Sequence, residues 1–256
     1  MRQNYNYTED FYRSVDKRAS DTAKLVFTVL NEYVKVSSIV DAGCGSGAWI
    51  RTAVDLGIQQ AIGLDLASSL TLIEKNTDFK SYLQNGEIVL VERDFVFDPT
   101  SQFPKADLAV CLEVLEHLPP EVAVSMVARL AEASDFILFS AAQPGQGGTY
   151  HINEREIVYW VTEFAKFGFD PYDPFREILG KASYVPRFYS LNMILFVSQD
   201  ALKLDKAIID RSSLLEFKIT NPKQFDKKTI LEKIRYKIVE NLPVSVVTAL
   251  SKRLKY

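Results

Sequence analysis

The sequence predicts an α/β fold, a doubly wound and mostly parallel sheet with helices on both faces. Two observations predict it. Short apolar runs alternate with helical patterns along the first 200 residues. A glycine-rich turn joins the first of those runs to the helix that follows it. The first 35 residues read as helical, because "ASDTAKLVFTVLNEYV" places Ala23, Val26, Phe27, Leu30 and Val34 close to a 3.6-residue period. Strands are expected at Ser37–Ala42, Gln60–Asp65, Glu87–Asp94, Ala106–Leu112 and Asp135–Ala141, with helices at about 47–57, 68–84 and 120–133. A glycine-rich loop, "QPGQGGTYHINE", follows the fifth strand. Next comes a helix from about Asn153 to Phe167, stopped by Gly168, and a late strand at Tyr189–Ser198. The remainder reads as a helical extension broken by Pro222 and Pro243.

The bulk numbers set bounds on this reading. A chain of 256 residues suffices for one sizeable α/β domain with an extension, and 47% hydrophobic with 25% charged residues is ordinary for a globular protein. No apolar run is long enough to span a membrane, and the polar, aromatic N-terminus lacks a signal-peptide core. Two cysteines, Cys44 and Cys111, cannot form a disulfide framework and read as small buried fillers, so a cytoplasmic location is expected. The net charge of −3 is unevenly spread: residues 201–256 hold 13 Lys and Arg against 6 Asp and Glu, a +7 extension on a −10 body. Such a tail reads either as a solvated helix surface or as a contact for an anionic partner.

"VDAGCGSGAWI" (Val40–Ile50) ends the first strand and opens a helix. Gly43, Gly45 and Gly47 let the backbone turn sharply and lie close to a ligand. Asp41 stands just before the glycines. Asp65 ends the second strand, 18 residues after Gly47, where a carboxylate can accept two ribose hydroxyls. Asp94 ends the third, with Phe95 beside it, suited to an adenine amino group and ring face. No Gly-Lys-Ser/Thr follows the glycines, so no cation waits for a pyrophosphate, and a nucleoside carrying a positive sulfonium fits these acidic surroundings better.

At these residues the sequence resembles the class I S-adenosylmethionine-dependent methyltransferases, over roughly residues 35–200. The resemblance implies a Rossmann-like sheet of seven strands. It implies S-adenosyl-L-methionine held by Asp41, Gly43, Cys44, Gly45, Gly47, Asp65, Leu66, Asp94, Phe95 and Glu113, with Asp65 on the ribose and Asp94 on the adenine. It also sets the first and fourth strands side by side, which would bring Cys44 and Cys111 near each other.

"CLEVLEHLPP" (Cys111–Pro120) follows the fourth strand, at the rim where open α/β sheets bind ligands. If a helical turn begins at Glu113, then Glu113, Glu116 and His117 share one face. Two carboxylates and an imidazole pointing together suit a divalent cation. The second of the chain's two histidines, His151, is expected on the same rim. Glu-x-x-Glu-His with a later His-x-x-Glu, here His151 and Glu154, is similar to the small-RNA terminal 2′-O-methyltransferases, in which two Glu and two His bind a divalent metal. The Glu-x-x-Glu-His part is also similar to ubiquinone-biosynthesis O-methyltransferases. The segment "LFSAAQPGQGGTYHINEREIVYW" resembles bacterial methyltransferases of glycan and natural-product pathways. Glu113, Glu116, His117 and His151 are thus expected to hold Mg²⁺ or Mn²⁺ and the acceptor oxygens, with His151, His117 and Glu113 in the catalytic roles. In a metal-free version His151 or His117 would be the general base.

The expected organisation is a methyltransferase domain over 1–200, whose first 35 residues form a helical lid or cap, and a basic helical extension over 201–256. Tyr5, Tyr7, Phe11 and Tyr12 would belong to the lid or dock a helix. Trp160 and Phe164 would pack a helix onto the sheet, with stacking on an aromatic acceptor as the alternative, and Arg187 and Tyr189 would stand beside the acceptor cleft. The extension, with apolar Ile230, Leu231, Ile234, Ile238 and Val239, could cover the core, pair two chains as a homodimer or lie on a surface. The expected activity is O-methylation of a sugar, glycan or small natural product. An RNA 2′-O-methyltransferase and a non-catalytic cofactor-binding partner subunit are the alternatives.

Overall fold

The structure, a computed structural model, describes residues 9–98 and 100–226. Helix α1 (Glu9–Leu30) leads into strand β1 (Ser38–Ala42), α2 (Ala48–Asp55), β2 (Gln60–Asp65) and α3 (Ala67–Lys75). After a 3₁₀ turn at Thr77–Phe79 come α4 (Lys80–Gln84), β3 (Ile88–Glu92), β4 (Leu108–Leu112), α5 (Pro120–Ala133) and β5 (Phe136–Ser140). The chain continues through α6 (Ile157–Ala165), β6 (Phe169–Tyr172), α7 (Arg176–Lys181), α8 (Arg187–Asn192), β7 (Ile194–Ser198), α9 (Gln199–Leu204) and α10 (Arg211–Glu216). The strands form one seven-stranded sheet in the order β3-β2-β1-β4-β5-β7-β6, parallel except that β7 runs antiparallel to both β5 and β6.

The near-continuous apolar runs of the strands follow from burial on both faces. Side chains alternate strictly between two cores. Ile39, Leu108, Val110, Phe136, Leu138, Leu195 and Val197 face the side packed by α1 and α2. Val40, Ala109, Cys111, Ile137, Phe139, Ile194 and Phe196 face the side packed by α5 and α6. The apolar face expected of the first helix is the one buried: Ala23, Val26, Phe27, Leu30 and Val34 are all 1% exposed or less. Trp160 and Phe164 pack α6 onto the sheet, both against Phe139, and Phe164 stacks on Phe196 at 4.1 Å between centroids. Cys44 lies in the first core and Cys111 in the second, so neighbouring strands leave the two thiols on opposite faces.

Three boundaries differ markedly from the sequence reading, one strand is additional, and β3 ends at Glu92 rather than at the expected Asp94. The expected helix over 68–84 breaks at Asn76, whose side-chain carbonyl accepts from the Asp78 amide and starts a new turn. The helix expected from Asn153 begins at Ile157, because residues 152–155 hydrogen-bond to the rim of the sheet instead. The late strand does not begin at Tyr189: that stretch is α8, and β7 starts at Ile194. The Arg176 guanidinium favours this by donating to the Ser190 and Leu191 carbonyls, at 3.2 and 2.6 Å, so the end of a very short helix is satisfied. Strand β6 has no counterpart among the expected strands. It contains Pro171, which cannot donate a ladder bond, and it lies at the sheet edge where that omission is tolerated.

The extension is part of the body as far as residue 226. Ile208 bridges to Val34 and Lys218 to Tyr172, the Ile219 amide donates to the Pro171 carbonyl, and Leu214 is fully buried. The amphipathic stretch at 230–239, the residues Tyr5 and Tyr7, and the side chains of Phe11 and Tyr12 lie outside what the structure describes. No helix among the described residues is long and apolar enough to cross a membrane.

If the aromatic seam beneath α6 carries the packing of this face, Phe164→Ala lowers unfolding stability by about 3–5 kcal/mol. Tyr184→Ala, at a position 48% exposed, stays within about 0.5 kcal/mol of the parent. Urea unfolding of the two variants checks the contrast, and equal losses contradict it.

Candidate functional site

Sheet order reverses between β1 and β4, from which the chain runs outward to β2 and β3 on one side and to β5 on the other. The carboxyl ends of these two strands flank the crevice in which open α/β sheets bind ligands. On the β1 side the backbone turns through Gly43, Gly45 and Gly47, all with positive φ. A Cβ on Gly43 would overlap the Val114 side chain, so this glycine is what lets the β4 rim close against the glycine turn.

Asp65 is aimed by the same turn. Its carboxylate accepts from the Gly45 amide at 2.8 Å and the Leu66 amide at 2.7 Å, which fixes the group at the end of β2. Burial nonetheless raises its pKa. Asp41 is 3% exposed; burial, reinforced by Asp65, pushes its carboxyl up to about 8. Cys44 is buried against Gly63 of β2, where its Sγ occupies the space of a missing side chain. Beyond β3, Asp94 accepts from the Val96 and Phe97 amides at 3.0 and 3.2 Å and so pins the turn that follows. Phe95 is buried edge-to-face on Phe103, and the exposed ring of this turn is Phe97, at 72%.

On the β4 side the expected helical turn from Glu113 does not form. Glu113 adopts φ 56, its amide donates to the Ser140 carbonyl at 3.0 Å, and a 3₁₀ turn begins only at Leu115. The shared face is therefore lost: the Glu113 carboxylate turns to Gln146 and Asn192, each 3.2 Å away. Glu116, His117 and His151 do converge. One ligand atom from each lies within 4.8 Å of the others, and the two imidazoles meet edge-to-face at 4.8 Å between centroids.

The loop that brings His151 there is fastened at several points. The Ile152 and Asn153 amides both donate to the Glu116 carbonyl, at 2.9 and 3.0 Å, and Asn153 Nδ2 donates to the Leu115 carbonyl at 3.2 Å. Glu154 accepts from the Gly145 and Gly147 amides, each at 2.8 Å, and meets His151 Nδ1 at 3.0 Å. A carboxylate offers only acceptors, so Nδ1 is the donor in this contact and Nε2 is the nitrogen left for a ligand. A Cβ on Gly148 would overlap the His151 ring at Nε2, which makes this glycine the floor on which the imidazole rests. Glu154 entered the sequence reading only through resemblance, and Gly148, Gln146 and Asn192 not at all. Glycines and amides in a loop carry no periodicity that marks them.

The electrostatics suit a cation. Glu116 is fully buried; Oε1 accepts from the Ala142 amide at 3.2 Å, while Oε2 has no protein partner. His117 Nδ1 is likewise buried without a partner. Burial, then Glu113, raises the Glu116 pKa well above the carboxylate range. Burial, then His151, lowers His117 to about 4, against a smaller opposing hydrogen bond to the Tyr150 backbone. Neutral His117 offers a lone pair, and a bound divalent cation would favour the ionised form of Glu116. The donor set of one carboxylate and two imidazoles fits Mn²⁺ or Zn²⁺ better than Mg²⁺, which prefers oxygen ligands.

Two outcomes follow from this geometry. Gly148→Ala, at a position without left-handed backbone, should displace the His151 ring yet leave the fold intact. With only two histidines in the chain, imidazole NMR signals read this directly, and unmoved His151 signals contradict it. Asp41 keeps its proton in the fold up to about pH 8, whereas an unfolded aspartate ionises near pH ~4. The folded state then binds more protons within that window, so stability falls as pH rises across it. Asp41→Asn should flatten the fall in thermal melts, and an unchanged slope contradicts the assignment.

A family profile described as "Methyltransferase domain" matches residues 15–160. No curated protein matches the sequence. Among solved structures, magnesium protoporphyrin IX methyltransferase from Synechocystis PCC 6803 with bound SAH is 19% identical, with 77% of this chain and 90% of that one covered and a TM-score of 0.54. The methyltransferase domain of bacterial CtHen1 is 18% identical over 72% of this chain and 98% of that one, with a TM-score of 0.53. A putative O-methyltransferase from Nostoc punctiforme PCC 73102 is 12% identical over 73% of this chain and 58% of its own length, with a TM-score of 0.56. At these identities the likeness to solved structures is one of fold. The family match spans more than half of the chain and includes the glycine turn, Asp65, Asp94 and the histidine pair: the chain belongs to the methyltransferase-domain family and is a class I S-adenosylmethionine-dependent methyltransferase.

Proposed function

We propose that the chain is an O-methyltransferase acting on a hydroxyl of a sugar, glycan or small natural product, assisted by a divalent cation. The observation that supports this is the convergence of Glu116, His117 and His151 on the acceptor side of the crevice, with two of their buried polar atoms unpartnered. Asp65 and the backbone of the glycine turn would bind the nucleoside, and Asp41 would line the same pocket. Glu116, His117 and His151 would hold a divalent cation such as Mn²⁺. Such a cation lowers the pKa of a hydroxyl and fixes its direction for in-line attack. Glu154 orients His151 through Nδ1, and the 152–153 backbone holds the loop against Glu116 so that the ligand set stays assembled. Should no cation be used, His151 Nε2 is the group placed to take the hydroxyl proton.

The acidic body disfavours a polyanionic acceptor, since nucleic-acid enzymes carry a basic stripe along the substrate path. The test is methyl transfer to a panel of diol-bearing acceptors, with and without chelator and with His151→Ala. Chelator is expected to abolish transfer, and His151→Ala to lower it by about 10²–10⁴-fold. Activity that ignores chelator and survives the substitution contradicts the site. Steeply salt-dependent transfer to short RNA ends would establish the RNA reading instead. Cofactor binding without transfer to any acceptor would mark a partner subunit.

A further inference from the structure

Glu113 stands between the two halves of the site. Next to it, Val114 fills the space over Gly43 on the cofactor turn, while Gln146 belongs to the loop that carries His151. Its carboxylate is held by neutral amides. Asn192 Nδ2, at the end of α8, donates to Oε1, and Gln146 Nε2 donates to Oε2. These amides are locked to one another: Asn192 Nδ2 also donates to Gln146 Oε1 at 2.8 Å, and Gln143 Nε2 donates to Asn192 Oδ1 at 3.1 Å. Asn192 is 2% exposed, so the lock is built into the core rather than laid on the surface.

Burial raises the Glu113 pKa while the hydrogen bonds from Asn192 and Gln146 oppose the rise, so these amides favour the charged form that a facing cation would complete. A non-glycine residue in the left-handed region is backbone strain of the kind found at functional sites. In a methyltransferase the sulfonium must stand between the cofactor's nucleoside and the acceptor, the place that Glu113 borders. We propose that Asn192 and Gln146 are positioning residues that aim the Glu113 carboxylate at the sulfonium of S-adenosylmethionine, and so tie the His151 loop to the charge of the cofactor. In the transfer the carbon–sulfur bond breaks with sulfur keeping the electron pair, the methyl carbon bonds to the acceptor's nucleophilic atom, and the acceptor's proton passes to a base or to solvent. The product thioether is neutral, so the attraction to Glu113 ends with the reaction and product release is favoured. The proposal rests on the S-adenosylmethionine dependence alone and not on the cation reading.

The test is calorimetric binding of three ligands in the presence of chelator: S-adenosylmethionine; its product S-adenosylhomocysteine; and sinefungin, which carries an amine where the sulfonium stands. Glu113→Gln keeps shape and removes charge. It is expected to weaken the two charged ligands about ten-fold while S-adenosylhomocysteine changes less than about two-fold. Gln146→Leu and Asn192→Leu should move the same preference in the same direction. A preference for the charged ligands that survives Glu113→Gln overturns the proposal. So does equal weakening of all three ligands, or wild-type binding, in the amide variants. If an amide variant fails to fold, the isosteric Glu113→Gln still decides.

Discussion

The site depends on one backbone contact: the carbonyl of Glu116 accepts the amides of Ile152 and Asn153. It joins the turn after β4 to the loop after β5, two segments that share no periodic structure. Asn153 reinforces it through the Leu115 carbonyl, and the Glu116 side chain repeats it through the Ala142 amide. Without this fastening, the two histidines of the chain would sit on independent loops. With it, their rings touch and a buried carboxylate closes the group. Loops that carry chemistry on open α/β sheets are otherwise the mobile part of the fold.

The fastening uses buried polar groups, which are costly unless satisfied. Here nearly every one is: Glu154 takes two loop amides and the His151 ring, and Asn192 and Gln146 take each other and Glu113. Of the orphans that remain on the β4–β5 rim, Glu116 Oε2, His117 Nδ1 and Ser140 Oγ, the first two lie at the point where a cation is proposed. Polar networks of this kind rigidify a site when complete, so loss of one member is felt at the others. The sheet beneath supplies the fixed reference: β4 and β5 are paired in register from Ala109 with Ile137 to Leu112 with Ser140, which places both rims at one level.

The sheet, its parallel character and the glycine turn after β1 were legible in the sequence because they follow from local rules. Buried parallel strands read as apolar runs, and "GCGSG" announces a turn with positive φ. Asp65 ends β2 as expected, whereas β3 stops at Glu92, two residues before Asp94. The failures were also physical. Pro171 hid an edge strand, since proline argues against strand except where no partner needs its amide. Tyr189–Asn192 read as strand because its residues suit both states, and the short helix end is made acceptable by Arg176 and Gln143, which lie far from it in sequence. Glu113 was expected on a helical face; a left-handed residue at that position cannot be inferred from glutamate, which rarely adopts it. Gly148 and Asn192 act through contacts that are 3 and 79 residues away in sequence, and no spacing rule reports those.

The central claim is that Glu116, His117 and His151 form one cation-binding group on the acceptor side. Anomalous diffraction at the manganese edge, from crystals grown with Mn²⁺ and S-adenosylhomocysteine, tests it most directly. The account predicts a single peak coordinated by Glu116, His117 and the Nε2 atom of His151, with Glu154 still bonded to Nδ1. No peak, or a peak on Asp41 and Asp65 with the histidines unengaged, would contradict it.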